Sequence, residues 1–381
     1  MKFSIITPTH KPTYISDLYD SIRNQIHRDW EWILYLNNEC TKSDLPDRIL
    51  RDERVKIYID KKCELSKNVG YQKNKAFNLG TGEVLVEADH DDMLTPDCLS
   101  ELAKIYKSKP DIGFVSSDDA IYKNGATPFN PAHGWTYRYF DWLGNRLIAH
   151  KTFKPSAGSL SLIYYAPDHV RTWRTSVYKE VGGHDVNLSI LDDQDLMIRT
   201  YLVTKFYHIP KVLYVYRVHG ENTWIDRNES IQENTFNLLN KWQQRLAERD
   251  ADLKGLRKID IGGGLYPREG YETVDIKNGD IIADLNKIWP FGDNEIGVIN
   301  ASHVLEHLRD TRHSMKEIHR VLTDGSWAFI EVPSTDGRGA WQDPTHVSYW
   351  NENSFWYWTQ KEQMKFIYNE DIKFQAKKLG T

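Results

Sequence analysis

A short apolar run followed by an amphipathic stretch of helical period recurs along this chain, and that alternation restricts it to α/β architectures. Phe3 to Thr7 reads as a buried strand, Tyr14 to Gln25 as a helix, and Trp32 to Leu36 and Val55 to Ile59 as further strands. Asn68 to Leu79 is helical in pattern and stops at Gly80-Thr81-Gly82, which feeds the apolar strand Glu83 to Ala88. Such a series predicts an open, mostly parallel sheet with ligands at the carboxyl ends of its strands. A polar helix from Glu229 to Leu253 carries few core-forming residues and reads as a bridge. A second series opens at Lys258 and continues through Tyr271 to Asp275, Val298 to Ala301 and Trp327 to Val332. The expectation for 381 residues is two domains, 1–227 and 256–381, with a helical linker over 228–255.

Composition narrows the functional classes. The net charge of -5 sets up no global basic field, so there is no strong sign of nucleic acid as a partner. No apolar run is long enough to span a bilayer and no signal peptide follows Met1, which predicts a cytoplasmic protein without a membrane span. Cys40, Cys63 and Cys98 lack paired or metal-ligand spacing and are expected to be reduced. The 13 Trp and 21 Tyr suit carbohydrate stacking, although burial is the commoner use of aromatics.

The strand at Val84 to Ala88 delivers Asp89-His90-Asp91-Asp92 to its carboxyl end. Carboxylates crowded this closely repel one another unless a cation intervenes, and hard cations such as Mn²⁺ or Mg²⁺ take oxygen ligands and bridge to phosphates. The plainer reading is a solvated acidic turn before the helix that follows Pro96. Thr7-Pro8-Thr9, Asn37-Asn38 and Asp192-Asp193-Gln194-Asp195 also sit where sheet topology places ligands.

Taken in order with Asn68 to Phe77, Asp193-x-Asp195-Leu196-x-x-Arg199 and Tyr216-Arg217-Val218-His219-Gly220, these elements resemble the family 2 glycosyltransferases of the GT-A fold over residues 1–225. The resemblance implies an inverting transfer from a nucleotide sugar. It places Asp89, Asp91, Asp92 and His219 around the metal, and Asp193 as the base that takes the acceptor proton. Asp193 also suits the N-cap of its helix. Donor contacts would come from Thr7, Pro8, Thr9, Asn37, Asn38, Lys73 and Asp89. Asn37-Asn38 stands where the family usually has two acidic residues; an amide still pairs with a uracil edge, so a UDP-sugar remains the favoured donor. Lys73 and Lys75 are read first as a solvated helix face. Residues 127–176, with Phe129-Asn130-Pro131, Trp135, Tyr137, Tyr139, Trp142, Tyr164 and Tyr165, lie where the acceptor enters this fold, and Arg171, Trp173 and Asp192 are candidate acceptor contacts. The acceptor would be a hydroxyl of a glycan or another polyhydroxyl molecule.

In the second series, Ile259-Asp260-Ile261-Gly262-Gly263-Gly264 places glycines after an apolar strand, Tyr271 to Asp275 ends in an acid, and Ser302-His303-Val304-Leu305-Glu306-His307 closes the fourth strand. This set resembles the class I S-adenosylmethionine-dependent methyltransferases over residues 256–381. The resemblance implies S-adenosylmethionine as a second cofactor, its methionine part near Asp260, Gly262 and Gly264, ribose at Asp275, adenine near Asp284 and His303 on the pocket floor. After Trp327 to Val332 the pattern runs short: Asp343 to Thr359 reads as loop and helix, Phe366 to Lys378 follows, and a central strand is expected to be missing. Weak cofactor binding without methyl transfer is the expectation. The competing readings are a methyltransferase with a binding module in front, and a non-catalytic pair of nucleotide-fold modules.

Overall fold

The computed structural model describes residues 1–38, 40–122, 134–162, 167–219, 228–369 and 371–376. The turn at Phe129 to Pro131, together with Tyr164, Tyr165, Gly220 and Lys378, lies outside them. The chain divides into two compact units, Met1–Trp242 and Gln243–Thr381.

In the first unit the strands are β1 (Phe3–Thr9), β2 (Trp30–Leu36), β3 (Val55–Ile59), β4 (Val84–Glu87), β5 (Met93–Leu94), β6 (Ile112–Tyr122), β7 (Thr136–Trp142), β8 (Asn145–Lys151), β9 (Arg171–Arg174) and β10 (Lys205–Arg217). They form one sheet in the order β3-β2-β1-β4-β9-β6-β10-β5, with the β7–β8 hairpin attached to β6. β1 to β4 are mutually parallel, as the alternation predicts. The mostly parallel expectation fails further along, because β9 runs antiparallel between β4 and β6. Since β6 and β10 are again parallel to each other, the carboxyl ends of β1, β2, β4, β6 and β10 share one edge, and the amino end of β9 meets them there.

Helices cover this sheet because their apolar residues recur at helical spacing. α1 (Ile15–Arg23) buries Ile15, Leu18, Tyr19 and Ile22; α3 (Cys98–Ser108) buries Cys98, Leu99, Leu102, Ala103 and Tyr106. α2 (Val69–Phe77) and α4 (Asp192–Val203) bring polar residues toward the carboxyl edge. The helix expected over 229–253 is α5 (Asn228–Lys254), a continuous 27-residue element, and the division between the two units falls within it, after Trp242.

The second unit contains β11 (Arg257–Ile261), β12 (Glu272–Asp275), β13 (Ile281–Ile282), β14 (Ile296–Ser302) and β15 (Leu322–Glu331), all parallel in the order β13-β12-β11-β14-β15. α6 (Thr311–Val321) packs against it; its N-cap Asp310 accepts from the Arg312 and His313 amides. The expected gap inside the sheet is not present among the described residues. Every strand is paired to its neighbour, and the sheet stops at β15. Trp289, Trp350 and Trp358 fill the core with Ile259, Ile261, Val274 and Ile299.

Candidate active site

Edge sharing brings together residues far apart in sequence. Asp89 follows β4, and His169 precedes β9, so the His169 imidazole comes within 3.6 Å of the Asp89 carboxylate. On the other flank His219, just past β10, has Nε2 at 2.7 Å from Asp91 Oδ2. Ligand atoms of Glu87, Asp89 and His169 lie within 4.8 Å of one another, and Glu87 Oε2 and His169 Nε2 are buried without a hydrogen-bond partner. These orphaned donor atoms and the flanking carboxylates suit a hard or borderline divalent cation. Asp92 does not belong to that set. Its carboxylate is fully buried, accepting from the Tyr214 hydroxyl at 2.8 Å and the Arg217 amide at 2.7 Å, and so ties β10 to the acidic turn. Burial, then the neighbouring Asp91 and Asp89, push its pKa well above the carboxylate range.

Behind the acidic turn lies a buried charge network. The Lys73 ammonium, read from sequence as solvated, donates to Glu87 at 2.5 Å and sits 3.5 Å from Asp192. That reading is corrected: Lys73 is three and four residues from buried Ala76 and Phe77, on the inward face of α2. Lys75 is exposed over the Tyr71 ring, as expected of a solvated face. Arg171, itself buried, donates to Asp193 and to the Pro167 carbonyl. Burial works against ionisation of Glu87 and Asp193. The surrounding cations prevail: Lys73 and Arg171 hold Glu87 down to about 2, and Arg171 and Lys73 hold Asp193 well below the usual range. Asp192 goes the other way, raised to about 7 by burial, against the pull of Lys73 and with the charges of Asp193 and Glu87 adding to the rise. Adjacent carboxylates at the start of α4 are thus shifted in opposite directions.

Several expected contacts are displaced. Thr7 is buried, donates to the Ala88 carbonyl at 2.8 Å and accepts from the Trp32 indole at 2.9 Å, which makes it a strand-to-strand lock rather than a donor contact. Thr9 is buried too, its carbonyl accepting from the Asn37 amide at 2.9 Å. Of the other donor candidates Pro8 is partly buried, Asn37 is buried, and Asn38 is exposed in a left-handed conformation with φ 53°. Trp173, expected as an acceptor contact, has no exposed surface. It packs edge-on against Phe77, Phe114 and Tyr178 and donates to Thr200 at 3.1 Å. Arg171 and Asp192 are buried as well, so none of the three expected acceptor contacts presents a free face. The role of His169 at Asp89 was missed, because nothing in the sequence links positions 80 apart across a reversed strand.

In the second unit the cofactor candidates follow the ends of successive strands: Asp260 and Gly262 at β11, Asp275 at β12, Asp284 after β13 and His303 after β14. Asp260 is engaged by the protein itself, accepting from the Arg268 amide at 2.9 Å and the Asn300 amide group at 2.8 Å. Asp275 Oδ1 accepts from the Lys277 amide at 2.9 Å, and Asp284 Oδ1 from the Asn286 amide at 3.1 Å. A Cβ on Gly264 would meet the Asp275 carboxyl carbon and the Asn278 carbonyl oxygen at 2.6 Å. One on Gly262, where φ is +76°, would meet Val304 at 2.6 Å. The glycines therefore admit close approach of the protein's own segments.

Residues 4–160 match Glycosyl transferase family 2, and residues 266–330, beyond the glycine turn, match Methyltransferase domain. The chain joins a family 2 glycosyltransferase domain of the GT-A fold to a methyltransferase domain of Rossmann-like α/β architecture. Chondroitin synthase of Escherichia coli is 24% identical over 249 residues, covering 64% of this chain and 33% of the relative. Hyaluronan synthase of Pasteurella multocida is 24% identical over 252 residues, covering 62% and 22%. This chain thus spans a third or less of the length of these relatives. The crystal structure of S. aureus TarS 1–349 in complex with UDP-GlcNAc superposes with a TM-score of 0.50 at 15% identity, over 67% of this chain and 72% of that one, a likeness of fold. Among the described residues no helix is long and apolar enough to cross a membrane.

Proposed function

We propose that this chain transfers a sugar from a nucleoside diphosphate donor, UDP-sugars first among them, to a hydroxyl of a glycan or similar acceptor, with inversion at the anomeric carbon. The observation that carries the reading is the convergence of Asp89, Asp91, His219 and the Arg171-paired Asp193 on one edge of the sheet. Asp89, Asp91 and His219 would hold Mn²⁺ or Mg²⁺, which when bound neutralises charge on the departing diphosphate. Arg171 fixes the Asp193 carboxylate and keeps it ionised, so that it is ready to accept the acceptor proton. The side chain of Asp193 retains 16% exposure against 6% for Asp192, which favours Asp193 as the group that meets an acceptor. The assignment of 1–227 to transfer, 228–255 to a linker and 256–381 to the methyltransferase-like part belongs to the same proposal. S-adenosylmethionine is the cofactor class that part would take.

The test is a screen of nucleotide sugars for Mn²⁺-dependent donor hydrolysis, followed by transfer to polyhydroxyl acceptors. Asp193→Asn should lower turnover by on the order of 10²-fold with donor affinity little changed. Near-normal turnover in that variant would move the base elsewhere. Absence of hydrolysis with every donor in the screen would count against transfer itself.

A further inference from the structure

Glu306 lies in the turn after β14, 2% exposed, and neither of its carboxylate oxygens accepts a hydrogen bond. A buried carboxylate left this way is costly unless a cation meets it. The nearest basic group is His303, whose Nδ1 is 3.3 Å from Oε1 on a ring that is 56% exposed.

Two further imidazoles converge on the same point. Ligand atoms of Glu306, His307 and His346 all lie within 4.8 Å of one another, and the two rings stand edge to face with centroids 4.9 Å apart. On both rings Nδ1 is already engaged. His346 Nδ1 is 2.9 Å from the Ala340 carbonyl, and His307 Nδ1 is 3.2 Å from the Thr345 carbonyl and 3.1 Å from its hydroxyl. An Nδ1–H donated to a carbonyl leaves the lone pair on Nε2, which is how metal-ligating histidines are commonly oriented. The backbone holds the pieces together without help from an ion: the Glu306 carbonyl accepts from the Val347 amide at 2.8 Å and the Ser348 amide at 3.0 Å. Asp343 Oδ2, 3.9 Å from His346 Nε2, is a further oxygen within reach.

We propose that Glu306, His307 and His346 bind a divalent cation of the Zn²⁺ class, at a site distinct from the Asp89–Asp91 cluster and contained within the second unit. Two imidazoles and one carboxylate match the donor preference of Zn²⁺ and leave a coordination position for Asp343, water or a ligand. Bound there, the ion fastens the segment around His346 to the turn after β14 and neutralises Glu306.

The experiment uses the untagged full chain carrying Asp89→Ala and Asp91→Ala, stripped with a chelator and titrated calorimetrically with Zn²⁺ alone. One equivalent should bind. Adding Glu306→Gln or His346→Asn should weaken it by at least about tenfold, given what ligand-shell changes do to metal affinity. Co²⁺ in place of Zn²⁺ should give visible absorption bands that change in the His346→Asn variant. Glu306→Gln also guards against misfolding, since an uncharged amide relieves the unpaired buried charge and should leave metal-free stability intact or raised. Zn²⁺ should then raise the melting temperature of the parent but not of this variant. Absence of Zn²⁺ binding to the folded parent, or equal affinity with and without Glu306 and His346, would overturn the assignment.

Discussion

Both carboxylate oxygens of Asp92 are occupied, by the Tyr214 hydroxyl at 2.8 Å and the Arg217 amide at 2.7 Å, whereas Asp91 offers Oδ2 to His219 at 2.7 Å. Neighbours in one acidic run therefore answer to different tests. Asp92→Ala leaves two buried donors unpaired and should destabilise the first unit by about 2 kcal/mol, read by urea denaturation, while the folded protein keeps its Mn²⁺ affinity. Asp91→Ala should do the reverse. Loss of Mn²⁺ binding in a folded Asp92→Ala protein would return that residue to the ligand set. Asp192 supplies a pH signature. Burial raises its folded pKa to about 7, far above the roughly 3.9 of an unfolded aspartate, so between those values the folded state holds a proton that the unfolded chain has released. The Asp192 contribution to stability should accordingly fall as pH rises from about 4 to 7. Glu87 and Asp193 act oppositely, being depressed in the fold and losing their contribution only as pH falls. Denaturation midpoints of Asp192→Asn and parent compared across that window isolate the effect, with the variant gaining relative to the parent as pH rises. A flat difference would mean that Asp192 is not shifted.

Elements were legible where one residue pattern decides them. Alternation alone reads β1 to β4, and the polar stretch between the two series reads α5, because burial on both faces and helical period are local properties. β9 is four residues long, and its placement between β4 and β6 depends on pairing with residues 55 to 90 positions away, such as Leu85 with Trp173 and Phe114 with Trp173. Sequence therefore counted Arg171 and Trp173 as acceptor contacts when they are core. Lys73 failed differently: its helical spacing to Ala76 and Phe77 was visible, and charge was allowed to outweigh it. The acidic run, His219 and Asp193 were legible as candidates because each closes a strand or opens a helix; the pairing of Asp89 with His169 and of Asp193 with Arg171 was not, since only the reversed strand supplies it. A consequence at this scale concerns Trp173→Ala. The indole fills the space between α2, β6 and α4, so the substitution should lower stability by about 3–5 kcal/mol in a urea titration. Reduced acceptor affinity with stability unchanged would restore its expected role as an acceptor contact.

For the molecule as a whole, the open question is what the second unit contributes, and there the order of the strands and the use of the side chains point apart. β13-β12-β11-β14-β15 sets Asp260, Asp275 and Asp284 at successive strand ends, the order in which a nucleoside-bearing cofactor would meet them. Yet Asp260 already accepts from Arg268 and Asn300, and a Cβ on Gly264 would strike Asp275 and the Asn278 carbonyl, so the approach a ligand would use is filled by the protein. Among the described residues no strand continues the sheet past β15 to build a wall over the transferred methyl group. S-adenosylmethionine should accordingly bind the full chain with a dissociation constant of about 0.1 mM or weaker, roughly 5.5 kcal/mol of binding free energy, and no labelled methyl group should pass to a glycosylated product. Calorimetric titration of S-adenosylmethionine and of its demethylated product, run beside a methyl-transfer assay on the reaction mixture from the sugar screen, measures both. Micromolar binding with methylation of that product would require Asp260 to release Arg268 and Asn300 on ligand entry, and the filled-crevice argument would fall with it.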